Sequence, residues 1–109
     1  MKVIMFFCAL LVSAGVAAEP GAWSLSADSW ARPRDGRSVA QMAPLPEVIK
    51  KWSEDTTQRL VIHYPGGEEG QLWAHELRSW LVALGVPQNN QELVAGSQQA
   101  DRIEIELSR

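Results

Sequence analysis

Residues 59–87 read RLVIHYPGGEEGQLWAHELRSWLVALGVP, and residues 101–108 read DRIEIELS. The first stretch holds a strand, a turn and a helix in succession. Leu60-Val61-Ile62 is a short apolar, β-branched-rich run closed by Pro65-Gly66-Gly67, which is how a central strand covered on both faces reads. Glu68 and Glu69 open a helix, where their charge suits the positive end of the helix dipole. Trp73, Leu77, Trp80 and Leu84 recur at spacings of 4, 3 and 4 residues, and Leu81 widens the stripe. Gly85 then suits a left-handed helix stop, and Pro87 prevents continuation. The two glycines at 66 and 67 predict a tight turn needing positive φ more than an anion cradle, because Glu68 and Glu69 already place negative charge there. In the second stretch Ile103, Ile105 and Leu107 alternate with Arg102, Glu104 and Glu106, so a last strand shows its apolar side to the core.

Upstream, Pro44-Leu45-Pro46-Glu47 has the form of a helix start, with Pro46 in the first turn. Leu45, Val48, Ile49 and Trp52 share one helical face. Trp23, Leu25 and Ala27 alternate with Ser24, Ser26 and Asp28, a weak sign of a first strand. Ser38 to Ala43 is the other candidate for that strand. Arg32 to Arg37, with Pro33 and Asp35-Gly36, predicts a solvated loop. Glu92-Leu93-Val94 is a short strand or an extended connection. Together these predict an α+β fold: a compact β-α-β-α-β sandwich with a small mixed sheet and two helices on one face. Any parallel pair should be joined by a right-handed crossover.

The N-terminus predicts export. Lys2 precedes an apolar run, Val3 to Val12, too short for the roughly 20 residues that span a bilayer. Val16-Ala17-Ala18 has small residues where a signal peptidase reads, which places cleavage between Ala18 and Glu19. A retained anchor would need a longer helix without that small-residue end. The layout is therefore a signal peptide at 1–18, an N-terminal arm with a possible first strand at 19–43, and an α/β domain at 44–109. Cys8 lies inside the apolar run rather than after it, so it is not placed as a lipidated cysteine. Without 1–18 the chain has 91 residues and no cysteine, which rules out a disulfide, thiolate nucleophile or cysteine-metal site in it. Loss of Lys2 leaves 9 basic against 13 acidic residues, a net charge of −4. Such a charge argues against nonspecific binding to nucleic acid or to an anionic membrane. The expected location is periplasmic, with no membrane span after cleavage.

Several residues invite a chemical reading. His75-Glu76 opens like a zinc-protease helix, but the second histidine position is Ser79. His63, His75 and Glu69 or Glu76 are the one set a zinc site could draw on. A strand-end histidine and an exposed helical histidine explain the two residues more simply. No Gly-x-Ser-x-Gly elbow is present. We therefore expect no catalytic set, no cofactor and no metal. Arg32, Arg34 and Arg37 form the one basic cluster, a candidate contact for a partner or an anionic ligand. Trp52, Trp73 and Trp80 would make a ligand platform if exposed, and their helical spacing predicts core instead.

Trp73-Ala74-x-x-Leu77-x-x-Trp80-Leu81, Leu84-Gly85-Val86-Pro87 and Asp101-Arg102-Ile103-Glu104-Ile105 follow one another as in the OmpA-like, peptidoglycan-associating domain. With the preceding helix and strand, the resemblance covers about 65 residues, and its motifs are moderately specific. It implies an OmpA-like fold and the envelope compartment. That family holds diaminopimelate carboxylates with an Asp after the central strand and an Arg in the second helix. Here Trp73 stands at the Arg position and Tyr64-Pro65-Gly66-Gly67 replaces the Asp region, so no ligand-binding residue carries over. The chain also resembles small exported proteins encoded with integrating conjugative elements, a likeness carried by no single motif. The expected function is a non-catalytic binding or scaffold part of an envelope assembly, with an envelope protein as partner. The alternatives are residual peptidoglycan binding through Arg32, Arg34 or Arg37, and a small metal-dependent hydrolase.

Overall fold

The computed structural model describes residues 22–32, 34–97 and 99–109. The signal peptide, Cys8 and the Ala18–Glu19 cleavage point lie outside the described residues. Strand β1 (Ala22–Ser26) leads into helices α1 (Ala27–Trp30), α2 (Gly36–Ala40) and α3 (Leu45–Ser53). Strand β2 (Arg59–Tyr64), helix α4 (Glu68–Ala83), strand β3 (Gln91–Ala95) and strand β4 (Arg102–Ser108) follow. The result is an α+β fold with a mixed four-stranded sheet in the order β1-β4-β2-β3.

Alternation of side chains sorts the sheet into two faces. On one face, Ile105 of β4 lies in register between Trp23 of β1 and Ile62 of β2. Leu25, Ile103, Leu60 and Ile62 join it in a core closed by residues from all four helices: Trp30, Val39, Val48, Trp52, Trp73, Leu77 and Leu81 among them. The other face carries Glu104, Glu106, Glu92 and Arg59, all exposed, with His63 half-buried. Val61 points to this open side yet is only 8% exposed. It stands in register between Glu106 and Glu92, and the aliphatic stems of long charged side chains can shield an apolar neighbour. The uninterrupted run Leu60-Val61-Ile62 thus reflects shielding by neighbouring strands and not a second layer of helices.

The parallel partner of β2 is β3, with Leu60 opposite Gln91 and Ile62 opposite Leu93. The short Gln91–Ala95 segment is therefore a strand, and β2-α4-β3 is the β-α-β unit. The last strand does not close that unit. It returns antiparallel to both β1 and β2 and separates them. Two side chains tie down the entry to β3. The Asn90 amide donates to the carbonyls of Thr56 and Gln58, and the buried Gln91 amide donates to those of Arg78 and Val86.

Helix α4 ends as its residues predict. Gly85 takes φ 116°. The Val86 N–H donates to the Leu81 carbonyl at 2.9 Å and the Gly85 N–H to the Val82 carbonyl at 3.0 Å. This is the double closure of a Schellman motif, and fully buried Val86 supplies its apolar contact. At the other end Gly67 has φ 94°, so one of the two turn glycines takes the conformation expected of both.

The segment from Ala22 to Ala43 is built into the core through Leu25, Trp30 and Val39. The first strand is the candidate read from Trp23 onward, but it runs Ala22–Ser26, and Ala27 and Asp28 belong to α1 instead. Ser38–Ala43 is not a strand: Ser38 to Ala40 continue α2, and a turn follows. The cause is local. Asp35 accepts from the Ser38 N–H at 2.8 Å, while the Ser38 hydroxyl accepts from the Asp35 N–H at 2.8 Å. That reciprocal capping box starts a helix where hydrophobicity alone left the choice open.

The Ser38 backbone bond to the Asp35 carboxylate, helped by the Ser38 side chain, holds its pKa below the usual aspartate range. A carboxyl with a depressed folded pKa stabilises the fold above its unfolded value, about 4. That contribution is lost as pH falls through the folded value. Asp35→Asn retains a capping oxygen without the titration. Urea midpoints at pH 6 and pH 3 are expected to fall less for Asp35→Asn than for the parent. Equal falls would show that the cap charge does not contribute.

Candidate functional site

The three arginines of the basic cluster have different fates. Arg34 is not freely solvated. Its guanidinium lies 4.5 Å from the centre of the Trp30 ring, donates to the Trp30 carbonyl and stands 3.4 Å from Glu76 of α4. Trp30 in turn stacks on Trp73, with ring centres 6.4 Å apart and planes 28° apart. A delocalised cation over an indole gains about 0.5–2 kcal/mol, the larger value where water is excluded. Arg34 thereby joins the α1–α2 connection to α4, and the joint rests on the core through Trp73.

Arg32 is exposed and has no ion-pair partner among the described residues. It lines an open groove of about 550 Å³ together with Arg34, Glu76, Ser79 and Trp80. A second recess of about 410 Å³, between α1 and the end of α2, also has Arg32 on its wall, with Ser29, Gln41 and Met42. Arg37 is exposed on α2 and lines neither recess. The structure thus brings Arg32 and Arg34 together and leaves Arg37 apart. Glu76, Ser79 and Trp80 enter the site from α4. Sequence reasoning missed Glu76 as a partner because it lies 42 residues from Arg34, beyond any local pattern.

Trp52 and Trp73 are core residues, as their spacing predicts. Trp52 also uses its ring N–H, which donates to the Gln58 carbonyl at 3.0 Å. Trp80 divides its surface. It packs partly against the core and also forms part of the groove wall.

The zinc set is not assembled. His63 Nε2 is 2.8 Å from Glu106 on the open sheet face. There it borders a recess of about 440 Å³ with Gly96, Ser97, Gln99 and Glu104. His75 on α4 instead accepts from Arg78 at 3.1 Å. Among the described residues no group of three potential ligands is placed to hold a metal. No helix among them is long and apolar enough to cross a membrane.

The groove combines a fixed guanidinium, a second one unpaired among the described residues, a carboxylate, a hydroxyl and an indole. Such a set can bind by charge and by apolar contact. Two arginines against one glutamate make it cationic on a chain whose net charge is −3. Comparison with family models, with curated proteins and with solved structures finds no match to this chain.

Proposed function

We propose that the chain is an exported, periplasmic, non-catalytic binding protein that joins a cell-envelope assembly through the groove between its α1–α2 connection and α4. Export rests on Lys2, the Val3–Val12 run and Val16-Ala17-Ala18. The observation that carries the binding role is the groove itself. Arg34 is held in place by Trp30 and Glu76, and Arg32, without an ion-pair partner among the described residues, lines the same groove as Trp80. Arginine and tryptophan are among the residue types enriched at protein interfaces. The resemblance to small exported proteins of integrating conjugative elements makes a conjugation-type secretion apparatus the assembly to test first.

Expression of the full chain in a bacterium with two membranes tests both halves. Osmotic shock should release a protein whose mass lacks 18 residues and whose first residue is Glu19. A cytoplasmic product of full length overturns export. A photo-crosslinker at Ser79, inside the groove, should trap an envelope protein, whereas one at exposed Glu47 of α3 should not. Equal labelling from both positions overturns the groove as the contact. Peptidoglycan is the second reading, favoured by the pairing of Arg32 with Arg34 in one groove. It predicts pelleting with purified sacculi that is lost in Arg32→Ala. Absence of pelleting removes it.

A further inference from the structure

We propose that the groove between the α1–α2 connection and α4 recognises a carboxylate carried beside an apolar group, with Arg32 taking the carboxylate and the Trp80 indole taking the apolar body. This deepens the proposed binding role and rests on it. Three features favour this ligand chemistry. Arg34 cannot be the main anchor, because Trp30, the Trp30 carbonyl and Glu76 already occupy its guanidinium. Its charge nevertheless stays beside the groove and offsets Glu76. Arg32 is the cation left over, exposed and without an ion-pair partner among the described residues. A guanidinium meets a carboxylate with two parallel N–H donors, a geometry that an ammonium or a lone hydroxyl does not offer.

Trp80 supplies the second half. Its ring is anchored against the core on one side and lines the groove on the other, so it offers apolar area without loss of its own freedom. Ser79 stands next to it, exposed, with a hydroxyl that can donate to the second carboxylate oxygen. A bare inorganic anion would leave the indole unused. A purely apolar ligand would bury Arg32 against no counter-charge, which is costly.

The test uses the purified protein as it accumulates in the expressing cell, followed by NMR of its tryptophan ring N–H signals. The probes are N-acetyl-phenylalanine, its carboxamide, and the amide-capped dipeptide N-acetyl-Phe-Asp. The first carries a terminal carboxylate and the last a side-chain carboxylate, so they separate a free acid from an acidic peptide as the source. At least one acid should shift the Trp80 signal at millimolar concentration, and the carboxamide should bind about tenfold more weakly, the factor expected for one charge-assisted contact. Arg32→Ala should weaken the acid by about the same factor and leave the other ring signals in place. Ser79→Asp, which adds a negative charge inside the groove, should weaken the acid more than the carboxamide. Equal binding of acid and carboxamide, an unchanged affinity in Arg32→Ala, or no shift with any probe overturns the proposal. Because the readout is binding in solution, these outcomes are independent of whether the chain is exported.

Discussion

Gly70→Ala should lower stability by about 2 kcal/mol or more, although the change places alanine inside a helix. In an open helix the substitution would gain about 1 kcal/mol, because glycine is the poorer helix former. Here an added Cβ would stand 1.8 Å from the Pro65 carbonyl oxygen and 2.6 Å from its carbon. Both atoms are backbone, so relief requires moving the β2–α4 turn or the first turn of α4. Overpacking of this kind costs about 1–3 kcal/mol and sometimes more, and it overrides the propensity gain. For a domain of this length, 2 kcal/mol corresponds to a fall in Tm of roughly 8–16 °C. Gly36→Ala is the control. Its Cβ would meet nothing within 4 Å, and its stability should be at or slightly above that of the parent. Thermal unfolding of both variants checks the pair. A Gly70→Ala protein as stable as the parent would mean that α4 does not sit so close to Pro65.

Leu77→Ala should cost about 3 kcal/mol, within the 2–5 kcal/mol span of leucine truncations in cores. Leu77 is fully buried at the middle of α4, in the cluster that includes Leu60, Ile62 and Trp73. Alanine is the best helix former, so the loss reports packing and cavity formation, not helix propensity. Leu72→Ala on the same helix gives the comparison. Leu72 is 60% exposed and its truncation should change stability by less than about 0.5 kcal/mol. Chemical denaturation gives both numbers. Similar losses at 72 and 77 would place a different face of α4 against the sheet. Against a total stability of about 5–15 kcal/mol, the Leu77 loss is a large fraction and should be visible in ordinary urea curves.

Much of this fold was legible along the chain. Leu45, Val48 and Trp52 mark the buried side of α3, while Ile49 lies at its edge. Trp73, Leu77 and Leu81 do the same for α4, and Gly85 marks its end. Ile103 and Ile105 face inward from β4 as their alternation requires. The capping box of Asp35 and Ser38 was also within reach, since it spans four residues, but arginine and proline around it suggested a loop. The candidate site was less legible. Arg32 and Arg34 were visible as a basic pair, yet nothing near them announced that Arg34 is tied to Trp30 and Glu76 while Arg32 has no ion-pair partner among the described residues.

By itself the sequence determined the helix faces, the helix stop at Gly85 and the inward side of β4. Caps, periodicity and turn glycines act over a few residues, and their physics is complete within such a window. Tertiary structure alone decided that β4 enters between β1 and β2, that β3 is the parallel partner of β2, and that Val61 is shielded by its strand neighbours. It also decided that α4 brings Glu76, Ser79 and Trp80 to the arginines of the α1–α2 connection. These are pairings between segments tens of residues apart. Their energy comes from surfaces that exist only once the strands and helices have met, so no local pattern records them.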